Sequence, residues 1–517
     1  MLYQKNALQH FSFAESPLSK EEKKEELRRL SQRMEALQLS VKQNDLPVIV
    51  LVEGWGTSGK GSRIAAMIRQ MDPRFFQVVS TEAPTAEEKA RPFLYRHMKK
   101  IPENGKFLFL DSGWMDQTVR ERQSGQLDDQ DYQRRLEEIR VFERQLFDNG
   151  YLLVKLFLHI GKKEQHQRIQ SLLHDPDTAW RVSEHDRWQN EHYEQSLEDF
   201  EQYLDATSLP FAPWHLIDST HRKQSEIDCL HALCAAIEEA LEQKADHCWP
   251  PLHRDPAFDP LDQQFPLQPI EQLFQVKLDQ QMSRKEYKQQ LKHYQERLAD
   301  LHNQIYRWKI PVVLAYEGWD AAGKGGNIKR IAGALDPRGY EVVPIASPKP
   351  YELARHYLWR FWEKVPKAGH IVIFDRTWYG RVMVERLEGF CTERDWQRAY
   401  TEINEFERQL TDWGAVLLKF WIQIDKDTQL QRFEERRDNP EKRWKLSDED
   451  WRNREKWDEY EQAIDQMLQR TNTSYAPWHI VESNCKYYAR IKTLRLLTEA
   501  LEEAVRGEAE TVVDVYA

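Results

Sequence analysis

A segment beginning at Pro47, PVIVLVEGWGTSGKG, returns at Pro311 as PVVLAYEGWDAAGKG, an offset of 311 − 47 = 264 residues. The same offset relates Asp72-Pro73 to Asp336-Pro337, and KFLFLDSGW (ending at Trp114) to HIVIFDRTW (ending at Trp378). It also relates FERQL at Phe142 to Phe406, DPDTAWRVSEHD at Asp175 to NPEKRWKLSDED at Asn439, and APWH at Ala212 to Ala476. An offset held without net insertion from Pro47 to His215 is a tandem duplication of one domain, and it constrains the fold before any single element does. Six prolines between Trp249 and Pro269 interrupt regular structure. The predicted organisation is a first domain over 1–248, a linker over 249–269 and a second domain over 270–517. A chain of 517 residues accommodates two such domains.

Within the second copy, apolar runs at 312–318, 341–346, 370–375, 415–424 and 478–483 alternate with longer amphipathic stretches. The runs are rich in Val and Ile and apolar on both faces, as strands buried in a parallel sheet are. The intervening stretches are long enough for crossover helices, so each copy is predicted to be a three-layer α/β/α domain with a parallel sheet. A helical arm opens each copy, with Leu27, Leu30, Met34 and Leu37 at helical spacing in the first.

A net charge of −11 and a pI near 5.9 disfavour a nucleic-acid partner. No apolar run approaches the ~20 residues of a membrane span, so no membrane partner is predicted. The five cysteines form no CxxC pair, and the first twenty residues lack a signal-peptide pattern. The expected compartment is the cytoplasm.

In the second copy, Gly318-Trp-Asp-Ala-Ala-Gly323-Lys324-Gly325-Gly326 follows a strand and opens a helix, the context a phosphate loop requires. Gly318, Ala322, Gly323, Gly325 and Gly326 are predicted to turn backbone N–H groups onto a phosphate, and Lys324 to add a point charge. HIVIFD ends at Asp375, an acid at a strand tip suited to Mg²⁺. Phosphate loops ordinarily follow the lysine with Ser or Thr, whose hydroxyl ligates the metal. Both copies have glycine there, Gly61 and Gly325. Asp320, inside the loop, is the substitute at hand. Asp320 and Asp375 would share the metal, or one would act as base towards the attacking phosphate.

Cations gather at two further places. Arg376, Arg381 and Arg386 follow the strand, with Glu385 among them, and guanidinium groups match phosphate oxygens. Tyr379 is counted with the binding residues as a flank for a base or phosphate, although such aromatics also suit a core. A stretch from Gln431 to Asp450 packs Arg432, Arg436, Arg437, Lys442, Arg443 and Lys445 together, a lid able to close over extended phosphate. Interleaved acids also suit a solvated helix face. Trp444, Trp451 and Trp457 are read as packing residues.

EGWDAAGKGG (317–326), FDRTWYGRVMVER (374–386) and NPEKRWKLSDEDW (439–451) together resemble the second family of polyphosphate kinases. The resemblance spans nearly all of the second copy and, more loosely, the first. It implies a thymidylate-kinase-like P-loop fold with a helical lid and inorganic polyphosphate as phosphoryl donor or acceptor. It further implies AMP as acceptor, and Mg²⁺ (or Mn²⁺) on Asp320 and Asp375. Catalytic roles then fall to Asp320, Lys324, Asp375 and Arg376, and phosphate binding to Arg381 and the lid cations. The alternatives are a nucleoside monophosphate kinase using ATP and a polyphosphate kinase acting on nucleoside diphosphates.

The offset also exposes what the first copy lacks. Asp320 corresponds to Gly56, Arg376 to Ser112, Tyr379 to Met115 and Arg381 to Gln117; Arg436 and Arg437 correspond to Leu172 and Leu173, and Lys442 and Arg443 to Thr178 and Ala179. Lys60, Asp111, Glu121 and Arg122 remain. Removing one transition-state donor typically costs ~3 kcal/mol, so the first copy is expected to be silent. It would then brace the active copy or offer a surface for homo-oligomers.

Overall fold

The structure is a computed structural model that describes residues 1–13, 18–250, 264–441, 443–446 and 448–516. Most of the expected linker, 251–263, lies outside the described residues. The chain divides into two compact units. One comprises Met1–Pro84, Arg96–His253 and Pro350–His356; the other comprises Thr85–Tyr95, Arg254–Lys349 and Tyr357–Ala517.

The first unit holds β1 (Val48–Gly54), β2 (Phe76–Ser80), β3 (Phe107–Asp111), β4 (Leu152–His159) and β5 (Trp214–Asp218) in the order β2-β3-β1-β4-β5. The second holds β6 (Val312–Gly318), β7 (Tyr340–Pro344), β8 (Ile371–Asp375), β9 (Val416–Gln423) and β10 (Trp478–Glu482) in the order β10-β9-β6-β8-β7. Read from the other edge this is the same order, and every pairing in both sheets is parallel. Each strand boundary repeats at the sequence offset, as Val48 and Val312 do (312 − 48 = 264).

The central strands are buried along their length because helices cover both faces, so an apolar side chain is favoured whichever way it points. On one face of the first sheet, the helices Lys20–Gln43 and Arg222–Ala245 pack Leu30, Met34, Leu230 and Ile237 onto Val50 and Val154. The equivalent helices of the second unit are Arg284–Trp308 and Lys486–Tyr516. Parallel strands place all their carboxyl ends on one side. That side carries the glycine loop after β6 and the acid that ends β8, the crevice where ligands bind in open α/β sheets.

Candidate active site

β6 delivers Gly318 to the loop at φ +147°, and a Cβ there would lie 2.6 Å from the Ile422 carbonyl oxygen, so the tight approach to β9 admits only glycine. Gly323, at φ +115°, turns the chain into the helix Lys324–Ala332, whose amino end faces the crevice. Lys324 folds back over the loop, its Nζ donating to the carbonyls of Gly318 (2.5 Å) and Trp319 (3.3 Å). Around a Cβ on Gly325 there is nothing within 4 Å. The place of the usual hydroxyl is therefore open space.

Asp320 is 17% exposed and held from two sides. Arg376 Nη2 donates to its Oδ1 at 3.3 Å, and Asn453 Nδ2, from the lid helix Asp448–Glu455, donates to its Oδ2 at 3.1 Å. Gln429 Nε2 donates to its carbonyl oxygen at 3.2 Å. Asp375 ends β8 opposite Tyr316 of β6. Burial pulls the Arg376 guanidinium down, but Asp320, Glu317, Glu449 and Asp375 outweigh it and hold it above its ordinary value. The backbone of Arg376 lies in the left-handed region at φ +66°, which costs a non-glycine residue ~1–3 kcal/mol. Its N–H donates to the Tyr316 carbonyl at 3.1 Å and fixes that turn. Among the described residues no cluster of three or more His, Cys, Asp or Glu could cage a metal. Two carboxylates beside open space fit a hard cation that completes its shell with phosphate oxygens.

Three sequence expectations are corrected. Arg432 is buried and spends its guanidinium on carbonyls: Nη1 on Ala321 (3.0 Å) and Ala322 (2.8 Å), Nη2 on Ser483 (2.5 Å) and Asn484 (3.2 Å). It braces the loop from behind, and burial lowers its pKa to about 10. Tyr379 is fully buried; its hydroxyl donates to Glu407 Oε1 at 2.6 Å and accepts from Lys419 Nζ at 2.9 Å. Trp444 is 78% exposed and so lies at the surface and not in the core, whereas Trp451 meets Phe433 edge-on and Trp457 stacks on Trp319 at 3.7 Å.

Arg381 is paired with Glu385 at 3.1 Å and lies over the Tyr357 ring at 4.5 Å. Arg436 lines a pocket of about 220 Å³ with Gly323, Asn327, Lys486 and Arg490. Lys442 and the side chain of Lys445 lie outside the described residues.

Sequence reasoning passed over Glu317, Thr377, Asn453 and Gln429. Glu317 is buried; its Oε1 accepts from Thr377 N–H (2.7 Å) and Thr377 Oγ1 (2.8 Å), and burial raises its pKa. Its signal was present: an acid inside a buried strand, repeated in the first copy as Glu53.

Comparison with known proteins settles the family. The family described as polyphosphate kinase 2 (PPK2) matches residues 17–245 and again 281–508. The chain belongs to the polyphosphate kinase 2 family. It is accordingly a phosphotransferase. It is 38% identical over 466 residues to a polyphosphate:AMP phosphotransferase of Pseudomonas aeruginosa, covering 90% of this chain and 92% of that one. A polyphosphate:AMP phosphotransferase of Acinetobacter johnsonii is 36% identical, covering 89% and 92%. The crystal structure of a Pseudomonas aeruginosa protein assigned to polyphosphate kinase 2 superposes with a TM-score of 0.81 at 36% identity, covering 95% of this chain and 98% of that one.

The first polyphosphate kinase 2 copy keeps the loop's frame and its lysine but has no counterpart of the Asp320 carboxylate or the Arg376 guanidinium. Lys60 Nζ donates to Gly54 and Trp55 carbonyls, and Arg168 braces the loop as Arg432 does, on Thr57, Ser58, Ser219 and Thr220. A Cβ on Gly56 would lie 2.0 Å from Asp186 Oδ1 of the helix Glu184–Glu191, and Gly56 N–H donates to Gln189 Oε1 at 2.8 Å. The lid of this copy thus fills the place that the Asp320 side chain takes in the other.

Proposed function

We propose that the chain transfers the terminal phosphoryl group of inorganic polyphosphate to AMP, giving ADP, and that residues 270–517 carry out the chemistry. The observation that carries this reading is the carboxylate inside the phosphate loop, Asp320, held between Arg376 and Asn453 beside the open space at Gly325.

The loop N–H groups and Lys324 seat the terminal phosphoryl. A phosphate oxygen of AMP attacks its phosphorus in line, the bond to the bridging oxygen breaks, and the shortened chain leaves with that electron pair. Arg376 moves from Asp320 onto the transferring group, where its charge is worth most. Asp320 and Asp375 would hold Mg²⁺ (or Mn²⁺), which neutralises phosphate charge. Arg436, with Lys486 and Arg490 beside it, lines the route that the rest of the chain would take. The first copy, 1–248, is catalytically silent. No helix among the described residues is long and apolar enough to cross a membrane. All five cysteines are free, which suits a cytoplasmic enzyme.

The test is ADP formation from AMP with Mg²⁺ and either polyphosphate or ATP as donor. ADP is expected from polyphosphate and lost in Asp320→Asn. Formation of ADP with ATP alone would replace this reading with that of an ordinary nucleotide kinase.

A further inference from the structure

The first unit contains a cavity of about 500 Å³ whose lining comes from helix ends and not from the phosphate loop. Six cations line it: Lys20, Lys23, Lys24, Arg28, Arg69 and Lys223; Glu21 is the single acid. Lys20, Lys23, Lys24 and Arg69 make no ion pair among the described residues, while Arg28 pairs with Glu25 and Lys223 with Glu226. In a chain of net charge −11 this is a concentrated exception.

Its position compounds the charge. Glu26 pairs with His231 (2.8 Å) and Arg33 with Glu238, the same register of 231 − 26 = 238 − 33 = 205, so the helices Lys20–Gln43 and Arg222–Ala245 run side by side in parallel. Both amino ends, each carrying partial positive charge, therefore open beside the cavity. Lys20, Lys23 and Lys223 lie in the two neighbouring first turns, with Lys24 one residue further on, where they oppose that dipole and one another. Glu21, Glu22 and Glu226 offset part of this charge, and a bound anion would offset the rest.

The second copy shows the closed alternative. At the positions of Lys23 and Lys223 it has Tyr287 and Tyr487, whose rings stack at 4.5 Å and 18° between the equivalent helices. Arg69 becomes Gly333, while Arg284, Lys288 and Lys292 keep the outer charges. The first copy has thus exchanged an aromatic plug for two lysines and gained a third cation at Arg69. Its lining offers no ring on which a base could stack, so the chemistry it recognises is repeated bare phosphate.

We infer that this cavity is a second site for inorganic polyphosphate, borne by the catalytically silent copy. The identity of the polyanion rests on the proposed donor; the site itself rests on the cavity.

The experiment is equilibrium binding of fluorescently labelled long-chain polyphosphate to the full-length protein. The background is Lys324→Ala/Arg376→Ala/Arg436→Ala/Lys486→Ala/Arg490→Ala, which removes the cations proposed to hold the chain in the second copy. Residual binding is expected, and Lys23→Tyr/Lys223→Tyr should weaken it about tenfold and flatten its salt dependence. Lys20→Gln/Lys24→Gln/Arg69→Gln should do the same, and this variant stands in if the tyrosine pair misfolds. Absence of residual binding, residual binding that neither variant weakens, or equal competition by an RNA homopolymer of matched charge overturns the inference. Failure of the wild type to make ADP from polyphosphate overturns the proposed reaction instead and leaves this binding measurement intact.

Discussion

The two copies share their strand boundaries to the residue and differ in the charged side chains around the loop. In the first, Lys155 is buried 2.6 Å from Glu143; in the second, Lys419 is buried 2.8 Å from Glu407. Each lysine also donates at 2.6 Å to a backbone carbonyl, that of Thr207 or Thr471. The arginine behind the loop is kept in both copies, as is the acid of β1 and β6. Against that constancy stand Gly56 for Asp320, Ser112 for Arg376 and Gly113 for Thr377. Arg168 and Glu53 are kept for the contacts they make within the fold, whereas the counterparts of Asp320, Arg376 and Thr377 have changed together. The loss is also hard to reverse, because Asp186 now fills the space an aspartate at position 56 would require.

The comparison breaks most readily at Arg376. Giving the second copy the first copy's residue, Arg376→Ser, removes the cation that contacts Asp320 and that the proposed reaction brings onto the transferring phosphoryl. Turnover should fall at least about a hundredfold, ~3 kcal/mol of transition-state stabilisation, with the melting temperature little changed. Lys60→Ala in the first copy should leave steady-state turnover unaltered. A matching loss from Lys60→Ala would show that the first copy is catalytically engaged.

A second measurement sharpens the comparison inside the scaffold. Removing the cation from a buried ion pair typically costs 3–5 kcal/mol, because an uncompensated carboxylate is left behind. In Lys419→Met, Glu407 keeps the Tyr379 hydroxyl (2.6 Å) and the Trp378 indole (3.0 Å). In Lys155→Met, Glu143 keeps only the Trp114 indole (2.9 Å) as a side-chain donor among the described residues, since Met115 replaces the tyrosine. Denaturant unfolding should therefore find Lys155→Met the more damaging, by about the 1.5–3 kcal/mol of one hydrogen bond to a charged group. Equal losses would mean that the tyrosine hydroxyl contributes nothing to the second pair.

The fold was legible because its signals are local and repeated: apolar runs at strand length, glycines at the turn, and acids at the tips of β3 and β8. The phosphate loop and Asp320 were legible for the same reason. Arg432 and Tyr379 were not, because whether a guanidinium meets a phosphate or a carbonyl depends on side-chain direction, which residue type does not encode. The repeat nonetheless held the correction. Arginine persists at position 168 in a copy that lacks the counterparts of Arg376, Arg381 and Arg436, as a structural residue would. Methionine at 115 points to a buried position for Tyr379. Asn453 and Gln429 carried no such signal, for amides on a charged helix resemble solvated ones until the helix is docked.

The last contrast concerns the acid both copies keep. Burial pushes the Glu53 carboxyl up to about 8, with Asp116 adding to the rise and Lys60 opposing it. Glu317 is also raised by burial, but the Thr377 hydroxyl and Arg376 pull it back, and Gly113 and Ser112 supply neither to Glu53. Its ordinary value is 4.5, so between about pH 4.5 and pH 8 the folded first unit holds a proton that the unfolded chain has released. Stability contributed by this group is thus complete below that window and falls as pH rises through it. Glu53→Gln keeps an acceptor for the Gly113 N–H (2.7 Å) and cannot ionise, so its stability relative to wild type should climb between pH 5 and pH 8 and then level. Thermal unfolding of both proteins across that range reads the difference. A constant gap would mean that Glu53 is already ionised in the fold, as it would be if Lys60 outweighed burial, and the electrostatic contrast between the two loops would vanish at this position.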